Sequence, residues 1–237
     1  MTNTASGDSG PGILTVVGPT ATGKTAIAVR AAAALGGEIV SADSRQVYRG
    51  MDIGTAKPSA GERALVSHHL LDIVDPSESY DAARFAADAE DALADILSRG
   101  SEPMVVGGTG FYVASLFEGL FEGPGRRPDV RARLEEQAGR EGWAAMHERL
   151  SAIDPQTAAR LHPNDAVRVI RALEVHEVTG RPLSEWHEEG RRDPSFRPWY
   201  VVLRMDRRLL NERIERRVDR MVESGLLDEV AGLVEGG

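Results

Sequence analysis

Apolar residues follow two different rhythms along the first half of this chain. Short, mainly apolar runs at 13–17 (ILTVV), 38–42 (EIVSA), 69–74 (HLLDIV) and 103–107 (PMVVG) predict strands. Between them, residues 24–35, 80–99 and 109–118 place apolar side chains three and four positions apart and predict amphipathic helices. Short apolar strands separated by such helices imply an α/β fold, a parallel sheet with helices on both faces.

The rhythm changes at 121–128 (FEGPGRRP), a Gly/Pro-rich linker. Four helical segments are predicted beyond it: Asp129–Arg140, Gly142–Ile153, Pro155–Leu161 and Asp165–Thr179. Asp154 and Asn164 are the expected N-caps, and Pro128 and Pro155 sit where prolines open helices. Strand character returns at Trp199–Met205 (WYVVLRM), and a long helix follows over Arg207–Ser224, with Leu210, Ile214, Val218 and Met221 as its buried stripe and Gly225 as its stop. A helical block bracketed by strands of one sheet reads as an insertion. Residues 12–122 and 198–237 then form the α/β core, 123–197 the insertion, and 1–11 (MTNTASGDSGP) a disordered polar leader.

Composition narrows the chemistry. The chain has 237 residues and 41% hydrophobic content, enough to bury a sizeable core. It has no cysteine, which excludes disulfides, thiolate catalysis and Cys-ligated zinc together. No run reaches 18 apolar residues, so no spanning helix is expected and the protein reads as cytoplasmic. The six histidines are scattered without metal-ligand spacing. Net charge is −9, unevenly spread: residues 1–125 hold 8 Lys/Arg against 16 Asp/Glu, whereas 126–237 hold 20, all arginine, against 21. The second half can therefore present basic patches to an anionic partner despite the acidic total.

The strand at 13–17 runs into Gly18-Pro19-Thr20-Ala21-Thr22-Gly23-Lys24-Thr25, a G-x-x-x-x-G-K-T loop that opens a helix. Glycines at 18 and 23 permit backbone angles that turn amide N–H groups onto a phosphate, and the following helix aims its positive end at the same anion. Lys24 adds a full charge, and the Thr25 hydroxyl is placed to ligand Mg²⁺. This segment binds a di- or triphosphate. In a parallel sheet the ligand sits at the carboxyl ends of the strands. There Asp43 follows the second strand, either as a cap for the turn at Ser44–Tyr48 or as a carboxylate near the transferred group. Thr109 follows Gly107-Gly108 at a helix start, where a simple N-cap is expected. Arg213 and Arg217 are like charges four apart on the last helix, and Arg217 lacks an obvious partner within it, which points to an external anion or to a solvated face. The strand at 104–106 ends in Gly-Gly-Thr, without the metal-binding acid of many nucleotide hydrolases, and no N-K-x-D occurs, which weakens GTPase and motor readings.

With these residues in place, the chain resembles the tRNA dimethylallyltransferase (isopentenyltransferase) family. The resemblance rests on GPTATGKT (18–25), SADSRQVYRGMDIGTAKP (41–58), HHLLDIVDPSESYDAARF (68–85), VVGGTGFYV (105–113), LHPNDAVRVIRALEV (161–175) and RIERRVDRM (213–221). It implies a P-loop NTPase-like core and transfer of a dimethylallyl group from dimethylallyl diphosphate to N6 of the tRNA adenosine 3′ of the anticodon. It further implies that residues 18–25 hold the diphosphate with Mg²⁺ on Thr25, that Asp43 accepts the N6 proton, and that Arg217 clamps the leaving group. By the same resemblance Asp43, Ser44, Arg45, Gln46, Thr109, Arg131, Val167, Arg168, Val169, Ile170 and Arg171 touch the tRNA. A monomer gripping the anticodon stem-loop through its helical insertion is expected, provided Arg131, Arg133, Arg168 and Arg171 share a surface. Family members continue past the position of Gly237 with G-Y-R-Q-like and K-R-Q-x-x-W-like motifs that do not occur in these residues. The residues alone leave open a small-molecule kinase, with 181–197 imitating an arginine lid, an adenine-nucleotide prenyltransferase, and a non-catalytic nucleotide-gated RNA-binding module.

Overall fold

The computed structural model describes residues 10–119, 123–188 and 195–235. Most of the expected leader (1–9), the start of the expected linker (121–122) and the middle of the 181–197 stretch (189–194) lie outside the described residues. The chain divides into two compact units, Met1–Gly119 with Asp193–Gly237, and Leu120–Arg192.

The first unit is built on a five-stranded sheet of β1 (Gly12–Val17), β2 (Gly37–Ser41), β3 (His68–His69), β4 (Glu102–Gly107) and β5 (Arg197–Val202). All pairings are parallel and the order is β3-β2-β4-β1-β5. Alternate side chains go to opposite faces. Val16, Ile39, Met104 and Val106 meet Ala28, Val29 and Ala32 of α1 (Lys24–Leu35) on one face. A short helix, α2 (Ala60–Leu65), leads into β3. On the other side α3 (Ala82–Ser98) buries Phe85, Ala89, Leu93 and Ile96, and α4 (Gly110–Phe117) packs against it. Phe85 stacks on Tyr112 with ring centroids 4.5 Å apart.

Two expectations fail here for local reasons. The strand expected over 69–74 shrinks to His68–His69, because Leu70 and Asp72 adopt left-handed backbone angles (φ 61 and 56) that end extended pairing. That turn swings Asp72 onto Lys57 and Arg63. Thr109 stands at the N-cap position of α4 but makes no capping bond, since its hydroxyl is used elsewhere.

The second unit is helical: α5 (Pro128–Glu141), α6 (Trp143–Ile153), α7 (Pro155–Ala158), α8 (Ala166–Thr179) and α9 (Leu183–Glu188). Its core gathers Leu134, Met146, Leu150, Val169 and Leu173. Pro128 and Pro155 do open helices, and Asp154 caps α7 through the Thr157 N–H. The cap of α8 is Asp165 and not Asn164: its carboxylate accepts from the Arg168 N–H at 3.4 Å.

The chain then returns to the first unit with β5, α10 (Arg207–Glu223) and α11 (Leu226–Glu235). β5 is an edge strand, and Trp199 on it is 66% exposed. The stripe expected to be buried on α10 is not: the helix has no buried residue, and Val218 is 49% exposed. α10 lies against α11 and reaches the loop after β2 with its polar side chains instead of entering the sheet core.

Candidate active site

The phosphate loop joins β1 to α1 at the carboxyl edge of the sheet. Gly23 sits at the N-cap of α1 with φ 92, a left-handed angle that only glycine takes freely, and it offers no side chain to cap the helix. The first amides of α1 thus keep their donors for an anion. Ala21 is also left-handed (φ 61), a strained angle for a residue with Cβ. The Thr22 hydroxyl donates to the Pro19 carbonyl at 2.8 Å and closes the loop on itself. Lys24 curls over it, with Nζ donating to the carbonyls of Gly18 (2.9 Å) and Pro19 (2.8 Å).

β4 lies between β1 and β2, so its end meets both the phosphate loop and the Asp43 turn. The approach is close at Gly107, where a Cβ would stand 2.0 Å from the Ala42 carbonyl oxygen. Two residues on, the Thr109 hydroxyl accepts from the Ser44 N–H at 3.1 Å. Asp43 Oδ1 accepts from the Arg45 N–H (2.9 Å) and the Gln46 N–H (3.3 Å). The turn-cap role thus belongs to one oxygen only. Gln46 donates from Nε2 to the carbonyls of Thr55 and Ala56, both at 3.2 Å, tying this turn to the loop that follows.

That second loop is pinned by Lys57. Its buried ammonium donates to Asp52 (2.7 Å), Asp72 (2.5 Å) and the Tyr48 carbonyl (2.5 Å). Burial pushes the Asp72 carboxyl up, but Lys57 and Arg63 beside it hold it below its ordinary value. From α10, Arg217 closes the remaining side: Nη1 donates to the Thr20 hydroxyl at 2.9 Å and Nη2 to the Thr55 carbonyl at 3.4 Å.

Lys24, Thr25, Asp43, Gln46, Thr55 and Arg217 line one cavity of about 320 Å³. A larger one of about 680 Å³ adjoins it, sharing Ala56, Lys57, Arg217 and Arg220. Burial lowers the Lys24 pKa, the nearby Asp43 carboxylate opposes that and Arg217 adds to it. This cavity places Lys24, Arg217 and the Asp43 carboxylate, with Arg213 and Arg220 beside them, around the donors at the start of α1. It is suited to an anion with several oxygens beside a group that loses a proton.

Among the described residues, no set of three or more His, Cys, Asp or Glu side chains gathers as a metal cage. The Thr25 hydroxyl at the cavity wall is the donor that suits Mg²⁺, a cation that takes one or two protein oxygens and fills its shell from phosphates and water.

The residues expected to touch RNA divide. Asp43, Ser44, Arg45, Gln46 and Thr109 gather around the turn just described. Arg131, Val167, Arg168, Val169, Ile170 and Arg171 belong to the helical unit. There Val167 is 72% exposed and the Arg168 side chain 73%, paired with Asp165 at 3.0 Å. Val169 and Ile170 point the other way, into the core, so their side chains cannot meet a ligand. Arg131 and Arg171 both close on the fully buried Glu174, at 3.0 Å each, and the Arg127 N–H adds a third bond at 2.7 Å. Burial pushes the Glu174 carboxyl up, yet these donors hold it below its usual value. Arg133 pairs with Glu177, which Arg149 also reaches at 2.6 Å.

Sequence reasoning assigned no role to Thr55, Lys57 or Glu229, whose carboxylate reaches the 52–54 backbone from α11. For Thr55 and Lys57 the signal was the GMDIGTAKP run (50–58), visible as a motif but with no spacing that disclosed a chemical use; Glu229 carried no signal in the sequence. Arg213, the like charge four residues before Arg217, and Arg220, within the RIERRVDRM run, both line the cavity with Arg217.

A family model described as IPP transferase matches residues 46–237, and one described as isopentenyl transferase matches 11–73. The tRNA dimethylallyltransferase 1 of Pelobacter propionicus is 52% identical over 228 residues, covering 96% of this chain and 74% of its own. That of Geobacter metallireducens is 53% identical over 226 residues, covering 95% and 73%. Among solved structures, the full-length tRNA isopentenylpyrophosphate transferase of Bacillus halodurans is 45% identical with a TM-score of 0.62, over 95% of this chain and 70% of that one. A eukaryotic dimethylallyltransferase acting on tRNA is 33% identical with a TM-score of 0.78, over 95% and 56%. With a P-loop NTPase-like parallel sheet and matches that run through nearly its whole length, this chain belongs to the tRNA dimethylallyltransferase (isopentenyl transferase) family.

Proposed function

We propose that this chain transfers the dimethylallyl group of dimethylallyl diphosphate to N6 of an adenosine in tRNA, the one on the 3′ side of the anticodon. The observation that carries the reading is the joint placement of Lys24, Arg217 and Asp43 around one cavity at the start of α1. The diphosphate lies on the 18–25 amides, with Lys24 and Arg217 exchanging their present carbonyl and hydroxyl partners for its oxygens. N6 attacks C1 of the dimethylallyl group, the C1–O bond breaks, and the electron pair leaves on the diphosphate. Charge grows on those oxygens as the bond breaks, so the two cations act most strongly at that stage. The N6 proton passes to Asp43, whose Oδ1 stays in the turn cap.

Thr25 and the diphosphate oxygens would hold Mg²⁺, which when bound offsets the leaving group's charge. The base must leave the stacked anticodon loop to reach Asp43, beside which Ser44 and the Thr109 hydroxyl are hydrogen-bonded to each other. The exposed start of α8, with Val167 and Arg168, takes the RNA backbone in the helical unit. We place the protein with its tRNA substrate in the cytoplasm; no helix among the described residues is long and apolar enough to cross a membrane.

The test is incubation of the purified chain with radiolabelled dimethylallyl diphosphate, Mg²⁺ and an anticodon stem-loop bearing the target adenosine, with AMP and ATP as parallel acceptors. Label entering the stem-loop alone supports the reading. Label entering AMP or ATP instead would replace RNA by a free nucleotide as acceptor.

A further inference from the structure

Arg217 is carried by a helix that buries nothing, so core packing does not explain how it is held over the phosphate loop. What fixes it is found at the far end of the same helical pair. The chain turns at Gly225 (φ 96) into α11, which also has no buried residue and instead seats against the loop after β2. There the Glu229 carboxylate accepts three successive backbone N–H groups: Asp52 at 2.8 Å, Ile53 at 2.6 Å and Gly54 at 2.9 Å. Packing agrees with the hydrogen bonds, since a Cβ at Gly54 would stand 3.1 Å from Leu226 Cδ1 and one at Gly50 would stand 3.5 Å from Leu233 Cδ2.

The amides that Glu229 holds run directly into the residues that meet the site. Thr55, next in the chain, gives its carbonyl to both Arg217 and Gln46. Ala56 follows with a left-handed φ of 48, an angle that persists only where its neighbours impose it. One helical pair therefore grips one loop twice with opposite charges, Glu229 on its donors and Arg217 on an acceptor. Bonds from a carboxylate to several amides are charge-assisted and set orientation as well as distance.

We infer that Glu229 is a positioning residue for diphosphate binding, fixing the 52–56 loop and through it the Arg217 guanidinium. This rests on the reading that residues 18–25 receive a diphosphate. The experiment is calorimetric titration of inorganic diphosphate into the full chain and into Glu229→Gln, Arg217→Lys and the double variant, with stem-loop binding and thermal melting measured alongside. Each single change should weaken diphosphate binding about tenfold, and in the double variant the second change should add less than about threefold, because both act through one contact. Glu229→Asp, with the charge kept and the reach shortened, should fall between wild type and Glu229→Gln. Stem-loop affinity should hold.

Glu229→Gln binding diphosphate like wild type, losses that multiply in the double variant, or equal weakening of stem-loop and diphosphate would each overturn the role of Glu229. A wild-type chain that binds no diphosphate would overturn the phosphate-loop reading and this inference with it.

Discussion

Asp43 divides its work between two oxygens. Oδ1 caps the turn that carries Ser44, Arg45 and Gln46, while Oδ2 has no hydrogen-bond partner among the described residues. Replacement by alanine would remove the cap together with the base and confuse the two roles. Asparagine keeps an oxygen for the Arg45 and Gln46 amides and removes only the charge and the proton acceptor. Asp43→Asn should lower single-turnover transfer by about 10²–10⁴-fold. Diphosphate affinity should be unchanged or tighter, since an anion near the ligand has gone. Equal losses of binding and transfer, measured by calorimetry and quenched flow, would remove Asp43 from proton transfer. At this scale the phosphate loop was legible because its chemistry demands a fixed spacing, and Asp43 because strand ends collect ligands in such sheets. Glu229 was not, since its partners are backbone amides far along the chain, and Lys57 was not, since its partners are a backbone carbonyl and two carboxylates at no regular spacing.

Elements were legible wherever one face of the chain had to be buried. Strands β1, β2, β4 and β5 and helices α1, α3, α5 and α8 follow their apolar rhythms to within a few residues. The rhythm misled where burial was not the reason for it. The apolar run at 69–74 looked like a strand, but Asp72 leaves the sheet for Lys57 and Arg63. The apparent core stripe of α10 has no buried member. In the helical unit, α5 and α8 are joined by apolar packing and by the ionic contact of Arg131 and Arg171 with Glu174. Removing that carboxylate leaves two guanidiniums facing each other without a counter-charge, and Arg131 Nε is already buried without a hydrogen-bond partner among the described residues. Glu174→Gln should therefore cost about 3–5 kcal/mol in denaturant unfolding of this unit. The pH dependence has a definite sign. The folded carboxyl titrates below its ordinary value, so its contribution is complete above the ordinary carboxylate pKa and is lost as pH falls through the depressed one. The gap between wild type and Glu174→Gln should narrow on acidification over that window and stay constant near neutrality. A gap that does not change with acid would mean that Glu174 acts by shape and not by charge.

For the whole molecule, the question is how a chain of net charge −9 holds an RNA. The total is a poor guide because the acids and the arginines are deployed differently. In the helical unit many arginines are engaged with carboxylates of their own unit, but the engagements are unequal. Arg131 and Arg171 hold a fully buried Glu174, and surrendering that partner to a phosphate would strand a charge in the core. Arg168 holds Asp165 at the surface, an exposed pair worth only about 0–1 kcal/mol, which a phosphate can displace at little cost. The expected RNA face thus separates into arginines that shape the α5–α8 contact and one that is available to exchange. Arg168→Ala should weaken stem-loop binding and reduce the slope of log K against log salt by about 0.7–0.9, the share of one phosphate contact. Arg171→Ala should weaken binding mainly through lost stability, with a melting shift that accompanies it and a salt slope close to wild type. The two variants, titrated with the same stem-loop over about 50–200 mM salt, distinguish these roles by slope and not by affinity alone. An unchanged slope for Arg168→Ala would take it off the RNA, and a reduced slope for Arg171→Ala without loss of stability would mean that phosphate does compete with Glu174.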